Sequence, residues 1–178
     1  ETLPSIDESH KELIPKFDGN TMTETRFHDF HAFLRRMSLT DISSPSGILI
    51  LNIDEISEDA LAEFSLYRNE FYEINFFQHM RHFRFAIDGT FYHPKGEPFL
   101  LFVAPDQLQS FQILGEDGEA TGYMIYIQKQ GMDQIERRNL GLRFFHREYE
   151  SSYSISATVY EELMFWGDLM KKEMKAAS

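Results

Sequence analysis

Cysteine is absent from the 178 residues of the chain. Its absence excludes a disulfide framework, a thiolate metal site and a cysteine nucleophile, and it is typical of a protein from a reducing compartment. Long apolar runs are absent too, since no window approaches the roughly 18 consecutive apolar residues that span a membrane. Residues 1–4 lack the basic and apolar regions of a signal peptide. These absences predict a soluble, cytoplasmic protein.

Positive charge is scarce. The chain has 17 Lys and Arg against 29 Asp and Glu, which gives a formal net charge of −12. Proteins that bind nucleic acid draw much of their affinity from Lys and Arg side chains that neutralise phosphates. The basic clusters of this chain are adjacent pairs, which we interpret as solvated helix faces. We therefore expect the chain not to bind DNA by itself.

The familiar catalytic and nucleotide-binding motifs are also missing, because no P-loop, GxSxG, GxGxxG or HExxH occurs. His28 and His31 lie three residues apart in a predicted helix without a third ligand nearby, so we interpret them as surface or packing residues. His79 and His82 are expected in a strand, where their spacing directs them to opposite faces. Nothing assembles a nucleophile, a base and an orienting group, so the sequence predicts no catalysis and no cofactor.

Aromatic residues, by contrast, are abundant: they make up 15% of the chain, which contains 17 Phe. Within 64–126, short β-rich runs alternate with turn signals, and Asp88-Gly89 is the signal of a two-residue type I′ hairpin. The predicted strands cover 83–87, 90–92, 99–103, 110–114 and 122–127. Short, evenly spaced strands predict an antiparallel barrel or sandwich. A core so rich in rings suits a barrel that is either filled or open to a small ligand.

The segment before this stretch predicts an arm, a helix and a strand. Residues 1–20 are polar and interrupted by Pro and Gly, which is typical of a mobile arm. A capping box at 21–24 and apolar residues at helical spacing predict a helix over 22–37. The compact apolar run 48–53 predicts a buried strand.

The segment after it predicts helices. Weak helical character over 133–140 is followed by an apolar anchor at Phe144 and Phe145. A second capping box at 158–161, for which Ser156 is an alternative cap, begins a longer amphipathic helix. The chain therefore divides into an arm and helix at 1–47, a barrel at 48–128 and a helical segment at 129–178.

This C-terminal helix carries one apolar stripe. Its members recur at i, i+4, i+7, i+11 and i+15: Val159, Leu163, Trp166, Met170 and Met174. Two interpretations stay open. The stripe packs on the barrel of its own chain, or its Trp and Met side chains also form a dimer interface with a partner helix, a role that suits both residue types.

The order and spacing of several segments resemble a known pattern. Four segments look like the cupin barrel of AraC-type transcriptional regulators: 67–74 (Tyr-Arg-Asn-Glu-Phe-Tyr-Glu-Ile), 85–89 (Phe-Ala-Ile-Asp-Gly), 102–107 (Phe-Val-Ala-Pro-Asp-Gln) and 109–111 (Gln-Ser-Phe). The flanking segments are similar to those of such regulators from Bacteroidetes-like bacteria, so that the resemblance extends over roughly 22–175: helix 22–37, loop 44–45, run 48–56, the Phe pair 144–145 and the final helix.

This resemblance implies a mainly β fold with helical appendages: a cupin-like double-stranded β-helix barrel, or jelly roll, with an N-terminal helix and C-terminal amphipathic helices. It also implies a function. In the family, the barrel binds a small-molecule effector, the helices after the barrel form a homodimer, and a helix-turn-helix domain binds DNA. No such domain follows within this sequence, so we expect DNA binding only through a C-terminal domain outside it.

The resemblance also identifies candidate site residues. The positions that hold His-x-His, Glu and a further His in metal cupins hold Tyr67, Asn69, Glu73 and Gln109 here. Because neutral amides are weak ligands for transition metals, the resemblance implies no metal and argues against a cupin enzyme.

The same positions are expected to point into the barrel, together with Asn75 and Phe111 two residues further along their strands. Convergent polar groups in an aromatic barrel predict a pocket for a small molecule. A buried Glu73 would favour a cationic or hydroxyl-rich ligand, because an unpaired interior carboxylate is costly. The alternatives are a filled barrel that serves only dimerisation and a stand-alone cupin enzyme of small-molecule metabolism.

Overall fold

A computed structural model of the chain describes residues 24–39, 47–57, 60, 66–114, 120–136, 145 and 151–176. The strands are β1 Thr25–Phe27, β2 Ile48–Asn52, β3 Tyr67–Asn69, β4 Tyr72–Gln78, β5 Phe83–Ile87, β6 Thr90–Tyr92, β7 Phe99–Val103, β8 Gln109–Ile113, β9 Thr121–Ile127 and β10 Ser152–Ser154. The α-helices are α1 Phe30–Arg36, α2 Lys129–Glu136 and α3 Ala157–Ala176.

The strands form two five-stranded sheets. The first sheet has the order β1-β3-β8-β5-β6, and the second has the order β10-β7-β4-β9-β2. All pairings are antiparallel except that of β1 with β3. The mainly β fold predicted from the sequence is therefore confirmed, with a long C-terminal helix beside it.

Both faces of the second sheet are covered: one packs toward the first sheet, and the other packs against helices. In β4, Glu73, Asn75 and Phe77 face the first sheet, where Phe77 joins the principal core. Phe76 belongs to a second core, in which α2 and α3 cover the other face of the sheet through Met132 and Tyr160. Because successive side chains of a strand point to opposite faces, β4 contributes to both cores.

Aromatic rings fill much of the space between the sheets, and α1 closes one end of it. Phe33 of α1 is fully buried, and its ring centroid lies 5.3 Å from Phe27, 5.4 Å from Phe71 and 4.7 Å from Tyr126. All three contacts are edge-to-face, the arrangement that the ring quadrupoles favour. This packing leaves little open space around the rings.

The N-terminal helix is shorter than the sequence predicts. The predicted helix over 22–37 is wrong in its first part, because Thr25–Phe27 is a strand that pairs with β3. The helix begins at Phe30, after Asp29, whose side chain accepts a hydrogen bond from the Ala32 backbone N–H at 2.7 Å. Asp29 is thus the N-cap. The predicted capping box at 21–24 and the predicted arm at 1–20 lie outside the described residues, save for Glu24.

The hairpin and the strands that the sequence predicts are present. Asp88 and Gly89 have φ of 48° and 84°, which confirms the type I′ turn between β5 and β6. The placement of His79 and His82 in a strand is wrong, because both lie in the connection between β4 and β5, and His79 has a φ of 63°. Their side chains therefore do not follow strand alternation.

The C-terminal helices differ from the prediction mainly in where they begin. Helix α2 begins at Lys129, four residues before the predicted start, and 137–144 lie outside the described residues. Helix α3 begins at Ala157, and the Ser156 hydroxyl accepts a hydrogen bond from the Val159 backbone N–H at 3.3 Å. Ser156 is therefore the cap, and Thr158 lies inside the helix. No helix in the described part of the chain is long and apolar enough to cross a membrane.

Candidate functional site

A buried carboxylate lies in the middle of β4. Glu73 is 1% exposed, and its side chain crosses the space between the sheets. Its Oε1 accepts hydrogen bonds from Asn69 Nδ2 and, at 2.5 Å, from Gln109 Nε2. Its Oε2 accepts a hydrogen bond from Asn75 Nδ2 at 3.2 Å. Amide N–H groups from three side chains thus hold one carboxylate.

Neighbouring strands orient these amides. The Phe71 backbone N–H donates to Asn69 Oδ1 at 3.3 Å, which turns the Asn69 NH₂ group toward Glu73. The Tyr67 hydroxyl donates to Gln109 Oε1 at 3.1 Å, and these two residues are opposite each other in the pairing of β3 with β8. We call Tyr67, Asn69, Glu73, Asn75 and Gln109 the polar cluster.

The carboxylate of the polar cluster has no positive partner in the described part of the chain. None of the ion pairs between described residues involves Glu73. Burial raises the pKa of the Glu73 carboxyl, and the hydrogen bonds from the amides oppose this rise. Burial also raises the pKa of Tyr67 and of Tyr126 well above the ordinary range, and the Glu73 charge adds to both shifts. The site is therefore short of positive charge.

One polar atom of the cluster is unsatisfied. Asn75 Oδ1 is buried and has no hydrogen-bond partner among the described residues. Turning the Asn75 amide over would bring this oxygen against Glu73 Oε2, an acceptor when the carboxyl is ionised, and would leave the NH₂ group unpaired instead. An ionised Glu73 therefore leaves an unmet hydrogen-bonding group in either orientation. Such a group costs about 1–3 kcal/mol when it is buried.

A small cavity adjoins the polar cluster. Its volume is about 60 Å³. It is lined by polar, aromatic and aliphatic side chains from both sheets and from the segments around them: Met37, Ile53, Tyr67, Glu73, Asn75, Phe77, Met80, Phe85, Ala86, Ile87, Leu101, Gln109, Ser110, Phe111, Met124 and Tyr126. This volume suits a few water molecules or one small chemical group, whereas sites for drug-sized ligands measure roughly 300–1,000 Å³.

All six residues named from the sequence meet at this place. Tyr67, Glu73, Asn75, Gln109 and Phe111 line the cavity, while Asn69 lies behind them and holds Glu73. Sequence reasoning missed the contribution of β9, whose Met124 and Tyr126 also line the cavity. Alternation places Met124 and Tyr126 on one face of β9, but that this face meets the cavity depends on the pairing of β9 with β4.

A second, open cleft of about 740 Å³ lies beside the ends of β3 and β7. Two of its acidic side chains have basic neighbours: Asp106 Oδ1 lies 2.5 Å from Arg26 NH1, and Glu70 Oε1 lies 2.7 Å from His28 Nδ1. The His28 side chain is 65% exposed, so its contact with Glu70 is a surface interaction. Within the described ranges, no three His, Asp or Glu side chains come together as a possible metal site.

The predicted stripe on the C-terminal helix divides between two faces. Leu163 and Met174 pack against the second sheet, as the first interpretation expected. The other face is exposed. Its apolar members, which we call the outer face of α3, have exposed fractions between 37% and 62%: Val159, Phe165, Trp166, Leu169 and Met170. Phe165 and Leu169 were not named from the sequence, because neither belongs to the stripe counted from Val159.

A close contact seats α3 on β9. The Tyr123 ring lies against Gly167, where an added Cβ would be 2.6 Å from the ring. The Tyr123 hydroxyl donates to Asp168 Oδ1, and burial together with this bond raises the pKa of Tyr123 to about 12. Lys171 forms an ion pair with Glu55, and its Nζ lies 6.0 Å from the centroid of the Tyr123 ring. We call this contact the helix seat.

Comparisons with protein-family models, with curated proteins and with solved structures found no match for this chain. The likeness to AraC-type regulators therefore stays an expectation that rests on the sequence segments quoted above. The chemistry of the polar cluster is the more direct guide to function.

Proposed function

We propose that the chain is a cytoplasmic small-molecule sensing and dimerisation domain of an AraC-type transcriptional regulator, with a cupin-like barrel and no catalytic role. The observation that carries the proposal is the polar cluster. A buried carboxylate that no described residue pairs with a positive charge, beside an amide oxygen without a described donor, is costly for a domain whose only task is to fold. Costs of this kind are typical of functional sites, where a ligand relieves them.

The chemistry of the cluster favours binding over catalysis. Its groups are amides, phenols and one carboxylate, which accept and donate hydrogen bonds and orient a ligand. Among the described residues, the partners of the carboxylate are amides, and none is a nucleophile or an imidazole that it could activate. The resemblance points the same way, since the four ligand positions of metal cupins hold Tyr67, Asn69, Glu73 and Gln109.

Dimerisation is supported by the outer face of α3. Phe165 and Trp166 are 62% and 50% exposed, and their rings pack against each other with centroids 5.5 Å apart. Adjacent exposed aromatic and Met side chains are typical of protein interfaces. We propose a second copy of the chain as the partner, with the two α3 helices in contact, so that DNA would be reached only through a further domain.

Strand β9 connects the cavity with α3, the helix that would form the proposed dimer contact. Met124 and Tyr126 line the cavity on one face of β9, and Tyr123 forms the helix seat on the other. A ligand that moves β9 would therefore change the contact that holds α3. Coupling of this kind needs the ligand to prefer one of two arrangements of the helix.

A thermal-shift screen tests the sensing function. The panel contains sugars, amino acids, aromatic acids and polyamines, with metal salts and a chelator as further conditions. A ligand that binds only the folded chain raises the midpoint according to its concentration relative to Kd. We expect at least one organic compound to raise the midpoint for the wild-type chain and not for Gln109→Ala.

Gln112→Ala is the matched control. Gln112 is also a β8 glutamine, but it does not line the cavity. We expect Gln112→Ala to keep the shift. A shift that survives Gln109→Ala and Glu73→Ala would contradict a site at the polar cluster. Stabilisation by metal salts alone, reversed by the chelator, would support a metal-dependent cupin enzyme instead.

A further inference from the structure

We propose that the cavity binds the ammonium group of a small amine, with Glu73 as its counter-ion and with Glu73 Oε2 and Asn75 Oδ1 as acceptors of its N–H groups. This inference rests on the proposed sensing function and names the chemical class of the ligand.

Hydrogen-bond accounting sets the first requirement, which is that the ligand donates. A carboxylate offers about four acceptor positions. Three are occupied, two on Oε1 and one on Oε2, which leaves one position free on Oε2. Asn75 Oδ1 has no donor among the described residues. Since the Asn75 amide is bonded to Oε2, both free acceptor positions belong to neighbouring groups, and one donor-rich ligand atom can serve both.

Charge sets the second requirement. The amides that hold Glu73 are neutral, so they stabilise its ionised form without supplying a positive charge. A buried anion is stabilised far better by a paired cation than by neutral donors alone. A neutral alcohol would satisfy the free acceptors but leave this charge unpaired. The cluster therefore selects for an ammonium group over a hydroxyl.

Size and lining set the third requirement. A cavity of about 60 Å³ accommodates an ammonium group with one or two carbon atoms and excludes a bulky quaternary ammonium ion. Its walls include the rings of Tyr67, Phe111 and Tyr126. Aromatic rings stabilise a neighbouring cation and pack well against its methylene groups. A larger ligand would place only its aminomethyl end in a cavity of this size.

The test compares simple compounds by thermal shift of the whole chain at constant ionic strength. Methylammonium and ethylammonium chloride are the probes. Tetramethylammonium chloride has the charge but lacks N–H donors and exceeds the size of the cavity, ethanol has a donor without the charge, and sodium and potassium chloride are the metal-cation controls. We expect the two primary ammonium ions to raise the midpoint at saturating concentration by about 2 °C or more, which is the scale of one kcal/mol for a chain of this size. The three kinds of control should leave it unchanged.

Glu73→Gln is the matched variant, because it removes the charge and keeps the shape. We expect it to fold and to lose the ammonium-dependent shift, while Glu97→Gln, at an exposed glutamate outside the cavity, keeps it. Isothermal titration with ethylammonium chloride should detect binding to Glu97→Gln and none to Glu73→Gln, which shows that the missing thermal shift reflects lost binding.

The outcomes separate this inference from the proposed function. If ethanol or the sugars of the wider screen raise the midpoint and the primary ammonium ions do not, the ligand class is wrong and the sensing function stands. An equal shift from sodium or potassium chloride would overturn the ammonium assignment in favour of a metal cation. If neither the ammonium ions nor any organic compound of the screen produces a shift, both the inference and the sensing function are rejected.

Discussion

At the scale of single residues, Glu73 combines full burial, amide donors on both oxygens and the absence of an ion-pair partner in the described part of the chain. Its raised pKa has a direct consequence for stability. A carboxyl whose folded-state pKa lies above its unfolded-state value stabilises the fold when it is protonated, and this contribution is lost as pH rises through the folded-state pKa. Glu73 therefore makes the unliganded domain less stable at neutral pH than at mildly acidic pH.

The variant Glu73→Gln should be more stable than the wild type at pH 7. The glutamine side chain introduced by this substitution can accept hydrogen bonds from Asn69 and Gln109 through its oxygen, and its NH₂ group can donate to Asn75 Oδ1 once that amide turns over. Turning the Asn75 amide over pairs its oxygen but leaves its NH₂ group unpaired, so the expected gain, on the order of 1 kcal/mol, comes from the removal of the buried charge. Urea unfolding from pH 4.5 to pH 8 measures it, and the difference between the two proteins should grow as pH rises.

Tyr67 and Tyr126 face Glu73 but stay neutral over this range, because burial raises their pKa well above the ordinary value. The control Glu97→Gln, at an exposed carboxylate, should show the same pH dependence as the wild type. A constant difference between Glu73→Gln and the wild type across the whole pH range would contradict a raised pKa at Glu73.

Gly122 supplies a second prediction at the residue scale. It has a φ of 141°, and an added Cβ would clash with the Phe76 carbonyl oxygen. Gly122→Ala should therefore destabilise the chain by more than about 3 kcal/mol, because the positive φ is unfavourable for alanine and the partner strand leaves no room for the Cβ. Gly89→Ala, where nothing lies within 4 Å of the added Cβ, separates the cost of a positive φ from that of the clash. Denaturant midpoints that fall equally in both variants would show that the clash has no effect.

At the scale of elements, local sequence signals correctly predict those turns and strands that local interactions determine. The hairpin at Asp88-Gly89 and the strands on both sides of it follow from local turn chemistry and alternation. The position of β1 does not, because Thr25–Phe27 becomes a strand only through its pairing with β3, which lies far along the chain. The apolar stripe likewise does not predict which side of α3 is buried, because that depends on how the helix packs on the second sheet.

The candidate site divides in the same way. The convergence of Glu73 and Gln109 is implied by the resemblance to the cupin barrel, and alternation within β4 then places Asn75 on the same face as Glu73. The contribution of Met124 and Tyr126 could not be predicted, because it depends on β9 lying next to β4 in the second sheet. The size of the cavity is also beyond sequence reasoning, since it depends on how closely the surrounding rings pack.

The helix seat gives a prediction at the scale of elements. On an exposed helix, Gly→Ala stabilises by about 1 kcal/mol. At Gly167 the sign should reverse, because the new Cβ would lie 2.6 Å from Cδ2 of Tyr123. We expect Gly167→Ala to lower the free energy of unfolding and to speed hydrogen exchange along α3 more than elsewhere. Glu162→Ala, at an exposed position of the same helix, should change stability by less than about 0.5 kcal/mol. A stabilised Gly167→Ala would contradict the seat.

At the scale of the whole molecule, the exposed side of α3 bears on the association of the chain. The chain is strongly acidic, with a net charge of −12, which opposes association of copies at low salt. A helix contact built from rings and Met side chains would offset this repulsion, and salt would then favour it by screening. Association of the chain should therefore strengthen as ionic strength rises, unlike the binding of DNA, which weakens.

Phe165→Glu should convert the proposed dimer to a monomer, because it adds a charge at the most exposed ring of the outer face of α3. Analytical ultracentrifugation over a concentration series measures the change, and we expect the dissociation constant to rise at least about tenfold, as the loss of ~1.4 kcal/mol would produce. Phe91→Glu, at a ring of β6 that is 55% exposed, is the matched control and should associate as the wild type does. A wild-type chain that stays monomeric at high micromolar concentration and moderate salt would contradict dimerisation through α3.

Trp166 reports on the same event, since it is the only tryptophan of the chain and is 50% exposed. Its emission should shift to shorter wavelength as the wild-type concentration rises, because a partner helix would exclude water from the indole. The spectrum of Phe165→Glu should not depend on concentration. An emission maximum that is constant in both proteins would show that Trp166 lies outside any contact between copies.

Strand β9 has a consequence for anyone who wishes to redesign the domain. α3 packs against β2, β4 and β9, and β9 and β4 also supply cavity residues, whereas Gln109 and Phe111 belong to β8 of the first sheet. Under the proposed sensing function, substitutions at Met124 or Tyr126 would alter ligand selectivity and the helix contact together, whereas substitutions at Phe111 would alter selectivity alone. On that proposal, a library that varies β8 would search for new ligands while the helix contact stays the same, and a library that varies β9 would change the response to a given ligand.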